Sequence, residues 1–471
     1  MSFTFNGIKK GYLRALVGIE RPAWAPIEEE IIEIPGRAGG IITGEKIKVR
    51  RLNIPVRVYK KGFASLEDVE EDLAAWLITD DPKPLTFSHK PDRTYYAKVT
   101  GELVLDEYPE WGEGVISFLC PDPYKYGQEK EVTFESSASF DVEGTVETEP
   151  VIEVELKDKT TFLAISNGDQ LNMIGQYANV DQQVYERETR VFWDQLGSLV
   201  GWANSTSVED SVSSGGQMET NGHEFFVTDY GSGGAWHGPA VKASIGEIIQ
   251  DFRCDVLLTQ LGGNWQLGGV ELALLDVNNQ FVAKMQMFKR SELSPAITAT
   301  LRAGTISNGF DIINSYGSYL DTWKDFEGML RIGRIGNEWF AYVTRIDADG
   351  NHDAEMYRTW KDTYNIANTP IAQVQVQIVR YGEYDPTFQR LKDIKIFRYN
   401  QQEGIPYVVT ADDKVVFDHQ KDNILKNGES IIKEKAFIGN YFKLQPGRNN
   451  IAVEPADKIQ SVKVRYRPKW R

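Results

Sequence analysis

Apolar and polar residues alternate in short runs along most of the chain, and Gly or Pro interrupts them at close intervals, the pattern of a protein built mainly from β-strands. The runs IIEIPG at 31–36 and EKIKV at 45–49 are of this kind. In IKVRRLNIPVRVY, residues 47–59, the apolar phase shifts between Val49 and Leu52. That shift predicts a β-bulge or strand break near Arg50 and Arg51, with the two arginines on an exposed edge. One segment has helical period instead. In SLEDVEEDLAAWL, Ser65 takes the N-cap position with Asp68 three residues on, and Leu66, Val69, Leu73 and Trp76 or Leu77 form a stripe on one face. Asp81 to Pro84 ends it. Strand-like runs then continue to a Tyr-rich Asp-Pro exit, and the first domain is expected to close near Gly127.

The runs VTFESSASF, PVIEVELKD and TTFLAIS between Val132 and Asn172 open a sandwich that too few following strands complete. The far C-terminus has the same grammar, with Asn427-Gly428 as a hairpin turn and Val462, Val464 and Tyr466 alternating with Lys463, Arg465 and Arg467. The simplest account is one sandwich split by an insertion. The insertion begins with a Gly/Ser-rich polar stretch (GWANSTSVEDSVSSGGQMETNG) and continues as many alternating runs. In AQVQVQIVR, Val374, Val376 and Ile378 alternate with glutamines, which predicts a strand with one solvated face. Gly336-Asn337 is read as a two-residue hairpin turn. The predicted fold class is therefore mainly β: an N-terminal β-sandwich with one helix over 1–130, a second sandwich split between 131–176 and 403–471, and a lectin-like jelly roll over 177–402.

Composition narrows the function. A chain of 471 residues exceeds one ordinary core, and 41% hydrophobic with 25% charged residues is the balance of a globular protein. A net charge of -16 argues against a protein that grips nucleic acid through phosphates. No run of about 18 apolar residues is present and the start carries no apolar signal segment, so neither membrane insertion nor signal-directed secretion is expected. Cys120 and Cys254 lack CxxC spacing, and the five histidines include no HExxH or i, i+4 pair. No metal, and no other cofactor, is indicated.

Four motifs at the start, FTFNG at 3–7, IPGRAGG at 34–40, PDRTYYAKVTG at 91–101 and CPDPYKYG at 120–127, resemble the N-terminal domain of siphovirus distal tail proteins. The end, FIGNYFKLQPGRNNIAV followed by VKVRYRPKWR, is similar to the closing strands of that family's galectin-like second domain. Together the two cover about half of the chain. The resemblance implies a homohexameric ring in the virion's tail tip, assembled from protein made in the host bacterial cytoplasm. That ring would join the tail tube protein to the tail-associated hub or lysin protein, and possible contacts include receptor-binding proteins. Family insertions in the second domain resemble carbohydrate-binding modules that aid adsorption to host cell-wall saccharide. In such a ring Lys46, Lys48, Arg50 and Arg51 could face a neighbour's acidic helix, Glu67 to Asp72; solvated surface is the competing reading.

The enzymatic rival is a tail-tip glycoside hydrolase, which needs two carboxylates flanking the scissile bond. The nearest match to a one-strand E-x-D-x-x-E pattern is Glu383 and Asp385 in GEYDPTF, where Phe388 stands in place of the last acid and Pro386 favours a loop. The chain is therefore read as a non-enzyme. GSGGAWHG at 231–238 lacks the Lys-Ser/Thr ending of a phosphate loop and is read as a mobile loop. DADGNHD at 347–353 begins like a calcium loop, but no bidentate Glu stands at the twelfth position, so a polar hairpin tip is preferred. Saccharide binding needs aromatic faces beside amides and carboxylates. Seven of the eleven tryptophans fall within 177–402, several beside Gly or Asn in presumed loops. On that ground Tyr230, Trp236, His237, Asn264 and Trp265 are the candidate ligand residues, with core packing or plain surface as the alternative at each. A third reading has the insertion docking only other baseplate proteins.

Overall fold

The computed structural model describes residues 2–209, 211–213 and 215–471. It forms two units. One comprises the chain up to Gly175 with Val408–Leu425 and Ile431–Arg471, and the other Gln176–Tyr407 with Lys426–Ser430. Among the described residues no helix is long and apolar enough to cross a membrane.

The first unit holds two cores. Around the first, strands Phe3–Phe5, Lys83–Phe87, Lys90–Val99, Trp111–Cys120, Arg50–Tyr59 and Leu13–Ala15 lie side by side in that order. The helix Leu66–Leu77 packs on them because Val69, Leu73, Trp76 and Leu77 share one face. Ser65 and Asp68 form the expected capping box, and Trp76 Nε1 donates to Phe5 O at 3.1 Å.

The strand break falls at Lys48–Val49, but only Arg51 is on the exposed side. Arg50 is 1% exposed, which corrects the expected edge arginine. In Arg50–Tyr59 the even-numbered residues point inward, so Arg50 takes the phase of Leu52, Ile54, Val56 and Val58. Its guanidinium is held by Pro22 O at 3.2 Å and lies 5.9 Å from the Tyr95 ring centroid. Lys48 pairs with Glu28, and Asp72 with Lys10 at 2.8 Å, so these two of the charges expected to meet across copies have partners within one chain.

A separate two-stranded ribbon, Ile27–Glu33 with Gly40–Ile47, is exposed along almost its whole length. Ile31 pairs with Ile42 and Ile32 with Ile41, so apolar side chains occupy both of its faces.

The second core belongs to a sandwich whose strands come from both sides of the insertion. Val151–Leu156 lies between Lys414–Asp418 and Ile459–Tyr466, and Gly447–Glu454 lies between Ser137–Val142 and Phe162–Ser166. Val462, Val464 and Tyr466 face inward as their alternation requires. Asn427 and Gly428 both have positive φ, as a two-residue hairpin turn needs.

The second unit is a sandwich of two eight-stranded antiparallel sheets. One is centred on Phe252–Leu261, Phe388–Tyr399 and Phe326–Ile335, the other on Ile371–Tyr381, Gly268–Leu275 and Phe281–Lys289. Gly336, with φ of 59°, starts the predicted hairpin turn between Ile335 and Glu338. Val374, Val376 and Ile378 enter the core, but the intervening Gln375 and Gln377 are each 1% exposed, so that face is not solvated as expected. Ser205 and Ser211 are hydrogen-bonded to the two glutamines there.

Candidate functional site

Four connections meet at one end of the second unit's sandwich. Gly382 N donates to Ala235 O at 3.0 Å, Trp265 N to Glu292 O at 2.8 Å, and Leu267 N to Asp385 O at 3.0 Å. The phenol of Tyr384 donates to the Glu292 carboxylate, which raises the pKa of that phenol. Loops 232–235, 262–267, 290–297 and 382–387 thus form one surface on a rigid sheet end, the arrangement that commonly carries recognition.

Beneath them a buried amide network fixes the strand ends. Gln389 Nε2 donates to Gly269 O at 2.9 Å and Val379 O at 2.8 Å, while Gln260 Nε2 donates to Gly268 O at 3.1 Å and Thr387 Oγ1 at 2.8 Å. Gly268 has to be glycine, since a Cβ there would lie 2.2 Å from Thr387 Oγ1. Phe288 lies flat across Gly269, where a Cβ would come within 2.6 Å of three ring atoms.

The candidate residues fall into two layers. Tyr230 is 7% exposed and belongs to the supporting layer, its hydroxyl donating to Gln389 Oε1 at 2.7 Å. Burial pushes its pKa up to about 12, with Arg390 and Arg380 acting in the opposite direction. His237 is 0% exposed. Its Nδ1 lies 2.8 Å from Ala235 O, and Nε2 lies 3.4 Å from Arg380 Nε. The neutral tautomer with the proton on Nδ1 satisfies both.

Trp236 is half-buried, with ring centroids 5.0 Å from Phe288 and 5.1 Å from Tyr381, and the Arg290 guanidinium 5.7 Å from its own ring. It sits with His237 on a short strand paired to Arg380–Tyr381, so this part of the 231–238 segment is ordered into a sheet edge rather than the expected mobile loop.

Asn264 is exposed, and Trp265 is 59% exposed at a φ of +64°. A tryptophan in the left-handed region costs on the order of 1–3 kcal/mol, and such residues concentrate at functional sites. The structure therefore brings Trp236, Asn264 and Trp265 to one end of the unit and places Tyr230 and His237 below it.

Sequence reasoning missed Tyr381, Tyr384 and Arg290 at this surface and the buried Phe288 beneath it. Phe288 and Tyr381 lie in strands, where an aromatic reads as core. The opposite error arises at Trp323, which lies between strands yet is 1% exposed. A loop position does not by itself make a tryptophan available.

The acidic pair of the hydrolase reading does not share a strand face. Glu383 has an 89% exposed side chain 3.6 Å from Arg380, Asp385 lies in the following turn, and the strand begins only at Phe388. At the hairpin tip, Asp347 Oδ1 accepts from Asn351 N at 2.8 Å and Asp349 N at 2.9 Å, and these backbone bonds lower its pKa. Among the described residues no three His, Cys, Asp or Glu side chains gather to hold a metal.

Residues 10–120 match the family described as phage tail protein RIFT-related domain, and residues 386–470 the siphovirus-type tail component, C-terminal domain. The distal tail protein of Bacillus phage SPP1 is 35% identical over 113 residues, covering 24% of this chain and 44% of that protein. Both ends of the chain thus match families of phage tail proteins.

The match spans less than half the length of this SPP1 relative. The crystal structure of the SPP1 distal tail protein, described as a hub adsorption apparatus of phages infecting Gram-positive hosts, aligns at 24% identity. It covers 37% of this chain and 74% of that one, with a TM-score of 0.34. The CBM2 module of the evolved distal tail protein of Lactobacillus casei BL23 phage J-1 aligns at 15% identity over 46% of this chain and 99% of the module, with a TM-score of 0.40.

Proposed function

We infer that this distal tail chain is a non-enzymatic adaptor of the tail tip whose inserted sandwich binds host cell-wall saccharide during adsorption. The observation that carries the saccharide reading is Trp265, an indole more than half exposed on a strained backbone, beside Trp236, Tyr381 and Tyr384. Aromatic faces of this kind stack on the apolar faces of pyranose rings, and Asn264, Arg290 and Glu292 supply hydrogen-bonding groups around them. The strain is sustained by the Trp265–Glu292 backbone bond, which fixes the loop before a ligand arrives.

The adaptor role rests on the family match at both ends of the chain. We assign ring formation, and through it contact with the tail tube and hub proteins, to residues 1–130. The ribbon 27–47 supports self-association: a two-stranded hairpin is marginal alone in water, and this one exposes isoleucine pairs on both faces. A second copy of the chain is the occupant proposed for it, in a head-to-tail contact that closes into a ring.

An array of bacterial cell-surface glycans probed with the full-length chain tests the saccharide reading. Binding to a defined subset is expected. No binding by a folded chain, or release of reducing ends from host cell wall, contradicts this reading.

A further inference from the structure

A cleft of about 260 Å³ lies in the first unit at the root of the exposed ribbon, where Ile27 pairs with Ile47. Its walls are mainly apolar: Trp24, Ile27, Ile47, Pro123 and Tyr124, with Trp24 64% exposed. Arg50, only 1% exposed, lines the same cleft. Small-molecule sites usually run from roughly 300 to 1,000 Å³, so this cleft suits a protein side chain better than a saccharide.

The Arg50 guanidinium carries a charge that the chain does not neutralise. Nη1 donates to Pro22 O at 3.2 Å, whereas Nε is buried without a hydrogen-bond partner. Among the described residues no carboxylate forms an ion pair with it. Asp122 lies two residues beyond Cys120, which stands opposite Arg50 in the strand ladder, but its carboxylate accepts from Tyr124 N at 3.1 Å and from the Tyr126 hydroxyl. The other charges nearby are cationic: the pKa of Lys125 is lowered by burial first, and then by Arg50, Arg21 and Arg93. A buried cation without a counter-ion is costly, and a carboxylate brought from outside relieves that cost while accepting from Nε.

We propose that this cleft is the socket for a glutamate of a second copy of the chain, Glu67 or Glu71 of its helix, whose carboxylate pairs with Arg50. The inference rests on the ring reading above and names one of its contacts. Glu67 and Glu71 are exposed one turn apart on the helix Leu66–Leu77, whose last turn holds no basic residue. Among the described residues neither forms an ion pair, and like charges at that spacing repel. A head-to-tail ring needs two different surfaces on each copy that fit one another. The cleft beside the ribbon is positive and unfilled, and the helix face is negative and unpaired.

Sedimentation equilibrium of the full-length chain tests the contact in the wild type, Arg50→Met and Glu67→Gln/Glu71→Gln. Self-association is expected to weaken about thirtyfold in Arg50→Met and about tenfold in the glutamine variant. Methionine keeps most of the side-chain length and removes the buried charge, so the urea midpoint of Arg50→Met should hold or rise. An arginine with only a structural role would lower the midpoint and leave association at the wild-type level. Wild-type association in either folded variant overturns the proposal and leaves the ring reading standing. If Arg50→Met does not fold, or unfolds at lower urea, the glutamine variant decides alone, because Glu67 and Glu71 are exposed. A wild type that stays monomeric at every concentration overturns the ring reading and this contact with it.

Discussion

The Trp265 amide donates to the carbonyl of Glu292 at 2.8 Å, and this bond spans two loops while Trp265 holds a φ of +64°. Glycine adopts that backbone without steric cost. Trp265→Gly is therefore expected to leave the fold intact and to raise stability by about 1 kcal/mol in urea unfolding while losing glycan binding. A destabilised variant would mean that the indole packs more than it strains.

Gly269→Ala should act in the opposite sense. The added methyl would meet the Phe288 ring at 2.6 Å, and Phe288 also supports Trp236. A loss of about 1–3 kcal/mol is expected in the unfolding of the insertion, together with altered Trp236 fluorescence.

His419 predicts a pH dependence in the split sandwich. It is 3% exposed against Phe442, its Nε2 has no partner, and burial pushes its pKa down to about 4. The unfolded chain takes up a proton near the ordinary histidine pKa, whereas the folded chain resists it. The contribution is thus full above the unfolded value and is lost as pH falls from 6.5 towards 4. About 2 kcal/mol should be lost by pH 5. His419→Gln should remove that slope in denaturant unfolding followed from pH 7 to 5, and an unchanged slope would exclude His419 as its source.

The helix was readable because its signals are local: Ser65 and Asp68 lie three residues apart, and its stripe repeats within three turns. Hairpin turns at Gly336 and Gly428 were readable for the same reason. Arg50 was misplaced because charge outweighed phase, although its phase matched Leu52 and Ile54. The glutamines at 375 and 377 were assigned to water because their partners, Ser205, Ser207 and Ser211, are remote in sequence and carry no apolar pattern. Tyr230 and Trp265 looked alike as aromatics near turns. Only the tertiary fold separates the phenol bonded to Gln389 from the exposed indole.

The exposed ribbon supplies the assembly prediction. Replacing Ile31 and Ile42 by Glu puts like charges opposite each other on one face of Ile27–Ile47. Analytical ultracentrifugation should show self-association of the wild type falling to monomer in the variant, with thermal unfolding of the rest of the chain unchanged. Equal association in both would exclude the ribbon as the contact.

The most direct test of the central claim is titration of a glycan selected on the array into the full-length wild type, Trp265→Ala and Tyr230→Phe, followed by calorimetry. The account predicts that Trp265→Ala weakens binding about tenfold or more, the equivalent of about 1.4 kcal/mol of lost stacking. Tyr230→Phe should cost about 1 kcal/mol of stability and leave the affinity within about twofold. Unchanged affinity in a folded Trp265→Ala chain would contradict saccharide recognition by this loop cluster.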